Sequence, residues 1–348
     1  MRTQFVEARI ISKQDIAPWL KSLAGKYDIL APVTENGVTT FKTIDDPSAI
    51  DLVSQPKSLR EAFTPETEQL FEYKLSGPSA EVKDPVVETK DRLIFGARAC
   101  DAAALKYVDA VYSMVKPVDT LYFDRREHTV IAGVFCDNPA WSCFCTEVND
   151  FLTNPVEMDV YFTDIGEKYF VQAYTSMGEK LLEASQFKPA TDADSKAAEA
   201  ARQKAMSKLP AKAAHDTECL TYDWNHPMWA KLSEKCMGCG ICAFLCPTCH
   251  CFDMQDCAKG SCGTRFRCWD TCQFEKFTLM GHGHNPRPSR KERTRQRVFH
   301  KFKYSVERYE MLGCVGCGRC IAACPVNIDI EKIVNELEKP AAVEAESA

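Results

Sequence analysis

An α/β domain followed by a cysteine-rich module is the architecture the sequence predicts, and three observations carry it. A strand–helix–strand pattern across residues 92–135 implies parallel strands. One cysteine phrase occurs twice in the last third of the chain. Between the two features, residues 189–219 are rich in Ala, Lys, Asp and Glu, the composition of a solvated helix and linker. The expected division is 1–188 for an α/β domain with a small mixed sheet and 189–219 for the linker. Residues 220–339 form the cysteine module, interrupted by an insertion over 247–313, and 340–348 form a frayed tail.

In chain order, residues 1–30 read as a strand and a helix. Asp15 stands where a helix N-cap belongs, and Ile16, Trp19, Leu20 and Leu23 follow at helical spacing. A hairpin comes next, 29–34 and 38–41, with Asn36-Gly37 as the turn signal. Pro56, Pro65, Pro78 and Pro85 are expected to break any long element over 45–90. Arg92-Leu93-Ile94-Phe95 is a short apolar strand, and 96–101 a turn. A helix over 102–112 then puts Leu105, Val108, Val111 and Tyr112 on one face, and 129–135 is a second buried strand. A further hairpin is expected at 160–162 and 169–174.

The repeated phrase carries the chemistry. Cys236, Cys239, Cys242 and Cys246-Pro247 are matched by Cys314, Cys317, Cys320 and Cys324-Pro325. Both read C-x2-C-x2-C-x3-C-P, the spacing that holds [4Fe–4S] cubanes in bacterial-type ferredoxins, with the fourth cysteine serving the other cube. The expected ligand sets are therefore Cys236, Cys239, Cys242 and Cys324 for one cluster. Cys314, Cys317, Cys320 and Cys246 serve the second. Zinc sites commonly use two C-x2-C pairs, so a triple followed by Cys-Pro argues against them. The C-terminal module is thus expected to be ferredoxin-like, with two [4Fe–4S] clusters and a long insertion.

Four more cysteines, Cys100, Cys136, Cys143 and Cys145, follow the two parallel strands, where loops at the carboxyl ends converge. They suggest a third Fe–S cluster, expected on a different face from the twin cubanes. The competing reading is that they are small buried packing residues. Cys249, Cys251, Cys257, Cys262, Cys268 and Cys272 of the insertion, with His250, offer a further metal site as one reading. Their spacing C-x-C-x5-C-x4-C fits no ligand pattern, and a packing role is the favoured expectation. Residues 287–303 carry Arg287, Arg290, Lys291, Arg293, Arg295, Arg297, Lys301 and Lys303 against Glu292 alone. A nucleic-acid patch, a solvated helix face and a cationic helix beside an anionic cluster are the three readings. Val298, Phe299 and Phe302 supply an apolar stripe for docking.

The 348 residues carry a net charge of −6, which argues against a general nucleic-acid binder. Nineteen cysteines without a secretion signal or membrane-length apolar run point to reduced thiols in an anaerobic cytoplasm. No G-x-G-x-x-G opens a helix after a strand, so no nucleotide site of its own is expected.

Several segments together resemble the anaerobic sulfite reductase A subunit and the beta subunit of cytoplasmic NiFe sulfhydrogenases. They are also similar to the matching subunit of flavin oxidoreductase–heterodisulfide reductase complexes. The segments are 246–253, 269–274, 283–288 and 297–302, with Gly96–Asp101 and Cys143–Thr146 in the first domain. Cys257 and Cys262 depart from that pattern, and no role carries over to them. The resemblance implies an electron-transfer subunit, not catalytic alone, beside an FAD- and NAD(P)-binding flavoprotein. A second redox subunit would be of hydrogenase, sulfite reductase or heterodisulfide reductase type. The alternative is a catalytic subunit reducing thiols or disulfides, which the absence of a Cys-x-x-Cys outside the phrases disfavours.

Overall fold

The computed structural model describes residues 8–85, 90–114, 116–210 and 224–337. The strands are β1 (Arg9–Ser12), β2 (Asp28–Glu35), β3 (Val38–Thr43), β4 (Thr67–Ser76), β5 (Ser79–Lys83) and β6 (Arg92–Ala97). They continue with β7 (Thr129–Val134), β8 (Val160–Asp164), β9 (Lys168–Ala173), β10 (Lys188–Pro189), β11 (Phe252–Lys259) and β12 (Cys262–Trp269). Among these residues no helix is long and apolar enough to cross a membrane.

The first sheet is larger than the small one expected: eight strands in the order β10-β1-β9-β8-β7-β6-β2-β3. β2, β6, β7 and β8 run parallel, and antiparallel strands close both sides. Side chains alternate across it. Leu93, Phe95, Val130, Ala132, Val160 and Phe162 face a core with Trp19 and Leu20; Ile94, Ile131 and Tyr161 face the helix Ala99–Met114. All six residues of β7 are buried, as a central parallel strand covered on both faces requires. The helix begins at Ala99, three residues before its expected start, so the turn after β6 shrinks to Arg98 and places Cys100 in the first helical turn.

The hairpin β2–β3 turns at Asn36 and Gly37, both at positive φ, as the Asn-Gly signal implies. Asp15 does not cap with its side chain; instead the Ser12 hydroxyl accepts from the Gln14 N–H, capping a short 3-10 turn before the helix Ile16–Leu23. The segment expected to lack long elements contains the ten-residue β4. Its proline positions fall outside the strand. β4 pairs with both β5 and β12, making an antiparallel sheet β11-β12-β4-β5. Half of that sheet comes from the insertion and half from the N-terminal part, so the two parts share a sheet.

The expected linker contains a packed helix, Asp192–Met206. Thr191 and Asp194 form its capping box, Ala198 and Ala205 are buried, and Arg202 donates to Thr163 Oγ1 and Gln172 Oε1. Residues 211–219 of the linker, the module's start at 220–223 and the tail 340–348 lie outside the described residues.

Glu68 fastens the shared sheet. Its carboxylate accepts from Arg267 across the β4–β12 pair and from Arg125, with only 4% of its side chain exposed. Removing the carboxylate leaves Arg267 with Asp119 and Arg125 with the Phe63 and Leu121 carbonyls. The loss therefore falls at or below about 3–5 kcal/mol, the typical cost of breaking a buried pair. Glu68→Ala should lower the urea midpoint accordingly, and Glu68→Gln by less. An unchanged midpoint in Glu68→Ala would show that the shared sheet does not depend on this pair.

Candidate iron–sulfur site

The two cysteine phrases fold alike. Each bends through two left-handed glycines, Gly238 and Gly240 in the first, Gly316 and Gly318 in the second. At Gly316 the bend aims the backbone N–H at Cys314 Sγ, 3.4 Å away. The absence of a side chain matters as much as the φ angle. A Cβ on Gly316 would lie 2.5 Å from Cys145 Cα, and one on Gly318 2.1 Å from Ser142 O. Phe144 N donates to Gly316 O at 2.9 Å. The second phrase is therefore pressed against the loop that carries Cys143 and Cys145.

Cysteines from both phrases meet in two cavities. Cys236, Cys239, Cys242 and Cys324 line the first, with Gln273, Arg297, Val298 and Ile330. Cys246, Cys314, Cys317 and Cys320 line the second, with Phe144, Arg297 and Lys301. Cys320 and Arg297 border both. Ile328 N–H donates to Cys324 Sγ at 3.2 Å. Among the described residues no three His, Cys, Asp or Glu side chains converge as ligands of one metal ion.

The basic stretch points inward. It forms the helix Arg290–Phe299 and one wider helical turn, His300–Tyr304. Arg293, Arg295, Arg297 and Lys301 are buried. Arg297 reaches Cys249 Sγ at 3.5 Å through Nη1 and donates to Cys242 O at 2.8 Å through Nη2. Lys301 Nζ donates to Thr248 Oγ1 at 2.7 Å and Gly313 O at 2.8 Å. Neither cation has a carboxylate ion-pair partner among the described residues. Burial alone would lower both pKa values, yet the surrounding sulfurs hold them above their ordinary range: Cys242, Cys249, Cys320 and Cys246 for Arg297, and chiefly Cys246 and Cys249 for Lys301. A buried, unpaired cation is costly unless an anion sits beside it. A cluster on thiolate ligands is such an anion, so this pocket chemistry fits a [4Fe–4S] group.

Cys100, Cys136, Cys143 and Cys145 also come together. They line a cavity of about 240 Å³ with Arg98, Asn138 and Cys317. The space opens to solvent at a rim that carries the exposed Val53. The cavity is not on a face remote from the phrases, as expected from the sequence. The Cys143 thiol donates to Cys317 O at 3.6 Å, and Cys317 borders the second phrase cavity as well. Asp101, next to Cys100, makes a buried 2.9 Å ion pair with Arg319 of the second phrase. Arg319 in turn donates to Pro56 O at 2.9 Å.

The insertion cysteines divide into two groups. Cys257 and Cys262 are exposed near the β11–β12 turn, and Cys268 is partly exposed on β12. Cys249, Cys251 and Cys272 instead lie beside the first phrase. The Cys249 thiol hydrogen-bonds Cys246, and Cys251 hydrogen-bonds Cys272. Sequence reasoning missed Arg60, Asp101 and Arg319 as parts of this region. Their partners lie 191 residues away for Arg60 and 218 for the Asp101–Arg319 pair, so no local pattern announces them.

Residues 235–328 match the family described as 4Fe-4S dicluster domain. Over 254 residues the chain is 32% identical to the sulfhydrogenase 2 subunit beta of Pyrococcus furiosus, covering 71% of this chain and 74% of that protein. No solved structure matches the chain.

Burial pushes the Cys143 thiol up to about 11 and Cys145 up to about 12. Below its pKa, each pH unit raises a thiol's thiolate fraction about tenfold, and the thiolate is the reactive form. In the metal-free chain, alkylation of Cys143 should accelerate about tenfold per unit between pH 8 and pH 10, read by peptide mapping. A rate that levels off at pH 8 would contradict the burial argument.

Proposed function

This chain belongs to the sulfhydrogenase beta-subunit family, and we propose that it relays electrons within a cytoplasmic multi-subunit oxidoreductase. The relay runs between an FAD- and NAD(P)-binding flavoprotein subunit and a second redox subunit of hydrogenase, sulfite reductase or heterodisulfide reductase type. One observation supports this reading most: the two phrases exchange their fourth cysteines between adjoining cavities that share Cys320 and Arg297. On this reading Cys236, Cys239, Cys242 and Cys324 hold one [4Fe–4S] cluster, and Cys314, Cys317, Cys320 and Cys246 the other. Cys100, Cys136, Cys143 and Cys145 hold a third. When bound, such clusters supply one-electron redox chemistry.

The chain's own groups then have definite work. Arg297 and Lys301 set positive charge against the two phrase sites, which favours the reduced, more negative state. Val298, Ile330 and Phe144 keep water from the cavities they border. The Gly316 N–H donates to Cys314 and stabilises its thiolate form. Arg319 links the second phrase to the N-terminal cysteines through Asp101. The inward-facing basic helix gives little support to a nucleic-acid role, because half of its eight cations are buried.

Exchange of ligands can be read spectroscopically. Cys324→Ser and Cys236→Ser should alter the same reduced-state EPR signal, and Cys246→Ser and Cys314→Ser the other. Pairing of Cys324→Ser with Cys314→Ser would sink the crossed assignment. In the full-length chain, Cys100→Ser with Cys136→Ser should remove about four irons and leave both phrase signals in place. Undiminished iron would return these cysteines to a packing role.

The relay itself is tested with partners. Iron-loaded chain alone should neither retain flavin through gel filtration nor oxidise NAD(P)H, for want of a phosphate-cradling loop. Adding the flavoprotein subunit that co-purifies from the native host should bleach the cluster absorbance on NAD(P)H addition. Turnover of NAD(P)H by the isolated chain would count against the proposal.

A further inference from the structure

We propose that Cys249, Cys251 and Cys272 hold an additional iron–sulfur cluster through three thiolates, beside the two phrase clusters. The inference rests on the reading that this chain carries iron–sulfur clusters at all. Three cysteines at this spacing have no ligand pattern in the sequence; the fold assembles them. Cys249 and Cys251 follow directly from the first phrase, across Pro247 and Thr248. Cys272 arrives from the far end of the β11–β12 hairpin, whose base is closed by Asp270 N–H donating to Cys251 O at 3.1 Å. The closure brings the Cys251 and Cys272 thiols into hydrogen-bond contact. Cys249 stands against Arg297 Nη1 at 3.5 Å, and the Gln273 side-chain amide donates to Cys272 Sγ at 3.6 Å.

The second observation is a cation that ordinary packing does not explain. Arg60 enters from the N-terminal part of the chain and is 6% exposed. Its guanidinium stacks on Trp269 at 3.8 Å and reaches Cys251 O and Ala243 O, each at 3.4 Å. Its Nε is buried without a hydrogen-bond partner, and it has no carboxylate ion-pair partner among the described residues. The sulfurs that oppose its loss of charge on burial are Cys249, Cys246 and Cys251. Two buried guanidinium groups, Arg60 and Arg297, thus flank three sulfurs. Arg297 also faces the two phrase sites, but neutral packing thiols leave Arg60 without an anion beside it. So does a Cys251–Cys272 disulfide, which also leaves Cys249 without a role.

Thiolates on an anionic cluster balance the charge. The three thiols lose their protons to solvent as three iron–sulfur bonds form. With three cysteine ligands the group is a three-iron cluster, or a cubane whose fourth iron takes a ligand other than cysteine. Its neighbours are Cys246, which contacts Cys249, and Cys242, which lies near Cys272.

The test uses full-length chain, loaded anaerobically with iron and sulfide. The triple variant Cys249→Ser, Cys251→Ser, Cys272→Ser should bind about three to four fewer irons per chain than the parent. The EPR signals assigned with Cys236→Ser and Cys314→Ser should remain. Cys272→Ser alone is the second variant and should change the iron count or add a new EPR species. Parental iron and parental EPR in Cys272→Ser overturn the proposal, whatever the triple variant does. A Cys251–Cys272 disulfide recovered from the anaerobically loaded chain overturns it too. Absence of both phrase signals from the parent would instead defeat the electron-transfer reading, so the two failures are distinct.

Discussion

Arg297 sits 6% exposed in a protein interior whose nearest polar neighbours are cysteine sulfurs and backbone carbonyls. A guanidinium cannot escape the cost of burial by losing its proton, so compensation must come from outside itself. The same holds for Arg60, and Lys301 is kept charged by the sulfurs around it. Among the described residues carboxylates do not supply the balance. The constraint passes to the cysteines: enough must be thiolate to match the cations. Clustered thiolates repel one another in the absence of metal, and burial raises Cys314 to about 11 and Cys320 to about 12. A cluster held as proposed would resolve both difficulties at once by fixing thiolates and spreading their charge.

Charge of this kind requires a rigid frame, and the frame comes from interlocking two parts that the sequence presents as separate. Phe144 leaves the N-terminal loop to join a core with Trp229, Phe299 and Phe302. Val315 and Cys317 cross the other way, into the core beside the helix Ala99–Met114. Gly316 and Gly318 permit the close approach, and the sheet β11-β12-β4-β5 repeats the exchange on another side. The N-terminal α/β part therefore does more than carry loops. It supplies Arg60, Asp101 and four cysteines to a region that the dicluster motif alone would not complete.

Legibility in the sequence followed the range of the interaction. The cysteine phrases encode their own bends, and the parallel pair β6–β7 was readable because buried parallel strands are continuous apolar runs. The carboxyl-end rule then brought Cys100 and Cys136 together without knowledge of the rest of the sheet. β4 and β5 were missed for an opposite reason. They are mostly exposed and polar, and β4 gains its partner β12 only across a long stretch of chain. Arg60 likewise looks like any charged residue at the start of a short helix. Its meaning depends on Trp269 and Cys251, which no window around residue 60 contains. The basic stretch shows the limit of composition: eight cations allowed a nucleic-acid patch, a solvated face or a cationic helix beside an anionic cluster, and helical phase, which turns half of them inward, favours the last.

The shared lining residues impose an order on the cysteine sets. Cys317 borders both the N-terminal cavity and the second phrase cavity, and Cys320 borders the second and the first. The second phrase set is therefore the middle of three, with Arg319 on one side of it and Arg297 on the other. Two of its cysteines, Cys246 and Cys317, are buried and none is exposed, whereas the first set reaches the surface at the exposed Cys239, beside the exposed Met237. The N-terminal cavity has its own surface marker in Val53, 86% exposed at its rim. For the proposed relay this means that partners have two separated points of access, one at each end, and none at the middle. The middle set, with no exposed cysteine and flanked by buried cations, is less open to solvent than the ends. The order is a consequence of where Gly316 and Gly318 let two backbones meet, and in this way two missing side chains set the sequence of sites in the proposed relay.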